Sequence, residues 1–106
     1  MAYRVRIRRF LNLKGFSAGA YVLAEVQDSR TLGEDEQRWG PDIALTLADC
    51  SRAVSFDFDI SRAAERRNSL RKLDIMISAL IEFRDALTEE AALAAESEKE
   101  ARRSSR

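Results

Sequence analysis

Two segments near the start of the chain alternate between apolar and polar positions, the period-two pattern of a half-buried strand. In the first, Tyr3, Val5 and Ile7 are separated by arginines. The alternation slips at Arg9-Phe10, which predicts a bulge or a strand end there. A second strand is expected over about residues 20–27, and the intervening loop should bury some of its large apolar side chains, which are Phe10, Leu11, Leu13 and Phe16.

The clearest alternation runs through residues 42–60 and predicts a hairpin of two further strands. A four-residue turn over 49–52 would pair Leu47 with Val54 and Leu45 with Phe56, and would bring Ile43 opposite Phe58. Every apolar side chain then lies on one face, whereas a slip of one residue would scatter them over both. The pattern therefore fixes the register of this hairpin.

From Ser61 onward the period changes to steps of three and four residues, which is typical of an amphipathic helix. The helix could begin near Ser61 or near Ser69. Its apolar stripe, which is expected to pack on the sheet, consists of Leu70, Leu73, Met76, Ile77, Leu80, Phe83 and Leu87. The stripe is about 26 Å long at 1.5 Å per residue, which matches a small sheet, so the Ala- and Glu-rich part that follows should overhang it.

These elements predict an α+β fold, with a four-stranded antiparallel sheet followed by one long C-terminal helix packed on one sheet face. A chain of 106 residues has room for a single domain, expected over residues 1–95. Residues 96–106 are polar and are expected to form a frayed tail.

Residues 28–41 have no periodicity and contain the only tryptophan and the only proline. A loop of this length in so small a domain is functional or mobile. Trp39 either tucks back onto the core or anchors a partner, as aromatic side chains often do at interfaces. The candidate partner-binding residues of this loop are Glu34, Asp35, Arg38 and Trp39.

The chain has no net charge, but the charges are unevenly distributed. Residues 1–27 carry +4 and residues 28–61 carry −5. Arg4, Arg6 and Arg8 would share one face of the first strand. Such a face could bind phosphate, although pairing with carboxylates of neighbouring strands, such as Glu25, Asp57 or Asp59, is the favoured interpretation.

No residue pattern indicates catalysis, and no cofactor is expected. The chain has no histidine and one cysteine, Cys50, which argues against a zinc site and against an internal disulfide. Asp57 and Asp59 could be grouped with Asp42 and Glu65 as a nuclease-like acidic set, but the lysine typical of such sets is absent. We therefore expect neither a metal site nor an enzyme.

A second apolar strip on the helix predicts self-association. Ile75 and Leu93 lie about 140–150° from the centre of the main stripe, and Ile81 lies at its edge. Together with Ala91 and Ala94 they are the candidate oligomer interface, and a two-fold homodimer is the expected form.

The leading functional hypothesis is a small non-enzymatic module that binds another protein and acts as a homo-oligomer. Nucleic-acid binding through the Arg4/Arg6/Arg8 face is the first alternative, and a structural component of a larger assembly is the second. No apolar run could span a membrane, and the first residues lack the apolar region of a signal peptide, so cytoplasmic localisation without membrane binding is expected. Small size and arginine-rich composition suggest an accessory protein of a phage or mobile element.

Overall fold

The computed structural model describes residues 2–16, 19–37 and 40–105, without the side chain of Glu36. The chain divides into two compact units, residues 1–67 and 68–106. The elements, in chain order, are β1 (Tyr3–Phe10), β2 (Tyr21–Gln27), a 3₁₀ turn (Ser29–Thr31), α1 (Glu34–Gln37), β3 (Ile43–Asp49), β4 (Arg52–Asp57) and α2 (Ala63–Ser104). A four-stranded antiparallel sheet followed by one long helix confirms the predicted α+β class.

The sheet is a meander in which the strands lie in chain order, β1-β2-β3-β4. The predicted register of the second hairpin is confirmed, because Leu45 pairs with Phe56 and Leu47 pairs with Val54. The Phe58 backbone N–H donates to the Ile43 carbonyl at 3.1 Å, which extends the pairing beyond the last residue of β4. Asp49 pairs with Arg52 across the turn, and Cys50 has a positive φ of 55° there.

Of the two outcomes predicted at Arg9-Phe10, the strand end is confirmed, because β1 ends at Phe10, whereas the bulge is not found there. β1 continues to Phe10, which pairs with Tyr21, and the irregularity lies at the other end of the strand, between Tyr3 and Val5. The reason is that Arg9 occupies an apolar-face position opposite Val22, so the ladder continues although the side-chain pattern breaks.

The pairing places apolar residues in rows across one sheet face, such as Ile7, Ala24, Leu45 and Phe56. The opposite face carries the charged row Arg6, Glu25, Ala44 and Asp57. Some residues of the apolar face are exposed, among them Val5, Ile7 and Val54. Among the described residues, the only apolar ones classed as buried are Ala20 and Ala48.

The loop between β1 and β2 does not bury its apolar side chains, contrary to the expectation from sequence. Phe10, Leu11, Leu13 and Phe16 are all exposed, Leu13 to 77%. The loop is closed by backbone hydrogen bonds, from Leu11 to the Ala20 carbonyl and from Phe16 to the Leu13 carbonyl. The backbone of the loop is thus paired locally, while its large apolar side chains stay exposed.

α2 begins at Ala63, the earlier of the two starts that the sequence allows. Its 42 residues correspond to about 63 Å at 1.5 Å per residue. The chain is helical through Ser104, including most of the segment expected to be a tail. Fraying of that segment in solution, and packing of the helix on a sheet face, stay predictions.

Candidate protein-interaction surfaces

The segment between β2 and β3 is held closed at its base by polar contacts. The Gln27 backbone N–H donates to the Asp42 carbonyl at 2.8 Å, and the Asp42 N–H donates to the Gln27 side-chain oxygen at 2.9 Å. Gln27 is buried, so its amide is committed to this closure. The described part of the segment contains the 3₁₀ turn and α1.

Asp28 is the polar centre of this closure. Its carboxylate accepts a hydrogen bond from the Arg30 backbone N–H at 3.0 Å. It also accepts from Nε and Nη2 of the Arg30 guanidinium, at 3.1 and 2.9 Å. Arg4 of β1 reaches the same carboxylate at 3.4 Å. The Asp28 backbone continues the network, since its N–H donates to the Ala2 carbonyl and its carbonyl accepts from the Thr31 hydroxyl.

This environment lowers the pKa of Asp28 from 3.8 to about 2. The main cause is the side-chain hydrogen bonding from Arg30, followed by the hydrogen bond from the Arg30 backbone N–H. The Asp28 carboxylate in turn raises the pKa of Arg30. Sequence reasoning missed this residue, although an aspartate directly before Ser-Arg-Thr is a typical helix-capping signal.

The arginines of β1 have partners within the chain. Arg4 pairs with Asp28, and Arg6 Nε lies 3.5 Å from Glu25 on β2. Arg6 also lies over the Tyr3 ring, 4.8 Å from its centroid, and Arg8 lies over Tyr21 at 5.0 Å. The predicted pairing with Glu25 is confirmed for Arg6. Arg8 instead contacts the ring of Tyr21.

A half-open groove of about 980 Å³ lies beside the β2–β3 segment within unit 1. Its charged lining residues are Glu25, Asp42, Asp57, Asp59 and Arg66. Among the described lining residues, four carboxylates against one guanidinium give an acidic character, and Phe58 and Ile60 add apolar surface. Such a mixture suits a cationic segment of another polypeptide.

Asp59 has a structural role at one side of this groove. It accepts a hydrogen bond from the Ser61 backbone N–H at 2.9 Å, just before α2 begins. That bond and a further one from the Ser61 side chain lower the pKa of Asp59. The Arg66 guanidinium donates to the Ile60 carbonyl at 3.1 Å, which fixes the same turn from the helix side.

The predicted loop residues are only partly brought to the groove. Arg38 and Trp39 lie outside the described residues. Glu34 and Asp35 are exposed on α1 and do not line the groove. The described residues of the 28–41 segment that line it are Ser29, Leu32, Gln37, Gly40 and Pro41. The Asp28 network nonetheless joins β1 to the base of the segment. The arginine face of β1 and the 28–41 segment, which were predicted as separate features, are therefore in contact through Arg4 and Asp28.

The largest accessible apolar area of α2 lies on the stripe assigned to the core from sequence. Leu70, Leu80, Phe83 and Leu87 are each more than half exposed, Phe83 to 68%. Ile75, Ile81 and Leu93, the predicted interface residues, are exposed as well, and so are Ala91 and Ala94.

Two kinds of site are absent from the part of the chain that the structure describes. No three acidic or thiol side chains there come together in a way that could hold a metal ion. No helix there combines the length and the apolar character needed to cross a membrane.

Comparison with known proteins gives no relative. No family model, no curated protein and no solved structure matches the chain.

Proposed function

We propose that the chain is a small non-enzymatic module that works as a homodimer and binds another protein. The observation that supports this most strongly is the exposure of its large apolar side chains. Of the apolar residues the structure describes, the two classed as buried are alanines, while leucines, isoleucines and phenylalanines of both units are exposed. Exposed large apolar side chains that recur along one element, as on α2, are typical of protein-binding surfaces.

Self-association explains why α2 extends so far beyond its apolar stripe. α2 continues for about four turns beyond Leu87. An isolated helical extension is marginal in water, because most helical stability comes from packing. A second copy would supply that packing, and light scattering on the purified chain at about ten micromolar tests it.

The acidic groove beside the β2–β3 segment is the proposed site for the second protein. Its carboxylates and the apolar surface of Phe58 and Ile60 favour a partner segment rich in lysine or arginine with an apolar anchor. On the sequence grounds given above, the proposal includes action in the cytoplasm as an accessory protein of a phage or mobile element.

A tagged chain tests the groove with a matched pair of charge reversals. Asp42→Lys alters the groove lining, whereas Asp35→Lys alters an exposed carboxylate of α1 that does not line it. Host proteins recovered by wild type and by the Asp35 variant should be lost with the Asp42 variant. Equal recovery by all three chains would contradict a role of the groove.

Nucleic-acid binding is less well supported, because Arg4 and Arg6 already have carboxylate partners. A salt titration with random-sequence DNA separates the two functions. Phosphate contacts would give a steep fall of affinity with salt.

A further inference from the structure

The outer strands of the sheet, β1 and β4, each have an edge that no strand of the described chain pairs with, because they are the first and last in the sheet order. β1 is eight residues long and is exposed from Arg4 to Phe10, and β4 has six residues. α2 does not complete either edge, because the backbone N–H and carbonyl groups of a helix are bonded within the helix itself. An edge of this kind is a template for a further strand.

Backbone hydrogen bonds show which residues of β1 face this outer edge. The Leu11 N–H donates to the Ala20 carbonyl at 3.0 Å, in the register of the β1–β2 ladder. Because bonded and non-bonded positions alternate along an antiparallel pair, the odd-numbered residues from 5 to 9 direct their N–H and carbonyl groups at β2. The residues that direct theirs at the outer edge are Arg6, Arg8 and Phe10.

The same reasoning applies to β4. The Phe58 N–H donates to the Ile43 carbonyl at 3.1 Å, in the register of the β3–β4 ladder, so the even-numbered residues direct their backbone groups at β3. The residues that direct theirs at the outer edge are Ala53, Ser55 and Asp57. These alternate positions are the ones that an added strand would bond.

The outward-directed residues of both edges have their side chains on the same sheet face. Arg6 and Asp57 belong to one charged row across the sheet. Directly opposite residues of an antiparallel pair share a face, so β1 laid beside β4 of a second copy joins polar face to polar face and apolar face to apolar face. If the two edges directed residues of opposite faces outward, the same pairing would mix arginines with phenylalanines.

We propose that β1 of one copy pairs antiparallel with β4 of a second copy, with Arg6 opposite Asp57. This register uses the regular part of β1, residues 5–10, against residues 53–58. Ile7 then lies opposite Phe56 of the second copy, on the apolar face. The contact goes beyond the proposed homodimer, because it joins different surfaces of two copies and therefore repeats from one copy to the next.

Charge favours β4 over a second β1 as the occupant of the β1 edge. β1 contains four arginines and no acidic residue. Two β1 strands that overlap over most of their length would place arginine opposite arginine, which is destabilising. β4 instead brings Asp57, whose carboxylate accepts several hydrogen bonds and can take Arg6 and the diagonal Arg8 in addition to contacts within its own chain. Arg8 contacts the Tyr21 ring and, among the described residues, no carboxylate.

Disulfide trapping tests the pairing. In this register Phe10 lies opposite Ala53 of the second copy, with the Cα atoms about 5.5 Å apart, which suits a disulfide. Two variants of the full chain, Phe10→Cys and Ala53→Cys, are mixed under mild oxidation, and in both Cys50→Ser removes the native thiol. Because a strand edge is smaller than a standard interface, the contact is weak, and the mixture is kept well above about ten micromolar. The mixed disulfide should form at least about tenfold faster than with Asp35→Cys in place of Ala53→Cys, because Asp35 is exposed on α1 and lies at neither edge.

Charge reversal gives an independent readout. Arg6→Glu in the Phe10→Cys chain should slow the mixed disulfide about tenfold, because a carboxylate then lies opposite Asp57. Asp57→Arg in the Ala53→Cys chain should restore the rate. Three outcomes overturn the inference: a mixed disulfide no faster than the Asp35 control, a disulfide of either variant with itself that forms faster, and a rate that charge reversal leaves unchanged. None of these positions lies in α2, so these outcomes leave the proposed homodimer, which is tested by molar mass, untouched.

Discussion

The base of the β2–β3 segment and the stripe of α2 differ in how far the chain completes them by itself. At the first, the buried polar groups of Gln27 and Asp28 have hydrogen-bond partners within unit 1. At the second, large apolar side chains remain in contact with water. A buried polar group without a hydrogen-bond partner destabilises the folded chain, so such groups are paired within the chain itself. An apolar face can instead be covered on association, which is why the proposed homodimer is tested at α2.

Among the changes predicted here, a charge introduced into the stripe should have the largest effect, and the quantity affected is the dimer dissociation constant. Leu80→Asp places a carboxylate near the middle of the apolar stripe, twice in each dimer. If the stripe is the interface, the dimer dissociation constant should rise at least a hundredfold. Leu93→Asp places the same charge in the strip that the sequence predicts as the oligomer interface, on the opposite side of the same helix. Sedimentation equilibrium measures both. Dissociation by the Leu93 variant alone would assign the interface to the other strip.

A charge on the apolar sheet face should have the next largest effect, this time on folding. Phe56 is half-buried and pairs with Leu45, so Phe56→Asp should lower the free energy of unfolding by about 3 kcal/mol. Asp57 points to the opposite face, and Asp57→Ser should change it by less than about 1 kcal/mol. Thermal unfolding compares the two, and equal shifts would refute the assignment of the faces.

Acid should weaken the base of the β2–β3 segment before it affects the apolar surfaces. The folded-state pKa of Asp28, about 2, lies below its ordinary value of 3.8, so its stabilising effect is complete above about pH 4 and is lost as the pH falls towards 2. Asp28→Asn should remove this dependence and lower stability at neutral pH. Asp35→Asn, on exposed α1, is the control, and hydrogen exchange of the Thr31 and Asp42 amides reports the loosening.

Reversing a surface arginine should have the smallest effect. Arg6 and Glu25 are exposed enough for their pair to contribute about 0–1 kcal/mol. Arg6→Glu should therefore fold normally, with a melting temperature within a few degrees of wild type. A loss of tight nucleic-acid binding in this variant, if wild type shows such binding, would favour the alternative function.

The sheet could be predicted from sequence because its apolar positions recur with period two and only one register keeps them on one face. The groove and the Asp28 network could not, because they depend on contacts between residues far apart in the chain, such as Arg4 with Asp28 and Gln27 with Asp42. The loop after β1 shows the opposite failure. Its apolar residues predicted burial, but the described ones are exposed, because an apolar side chain in a loop is buried only where another element packs over it.

The molar mass of the purified chain in solution tests most directly whether a second copy completes the molecule. Light scattering at about ten micromolar should give twice the 12.0 kDa of the chain. A version ending at Thr88, which lacks Ala91, Leu93 and Ala94 of the predicted interface, should give a weaker dimer or a monomer. A full-length chain that remains at 12.0 kDa at this concentration would contradict the account, because its apolar stripe would then be stable in water without a partner.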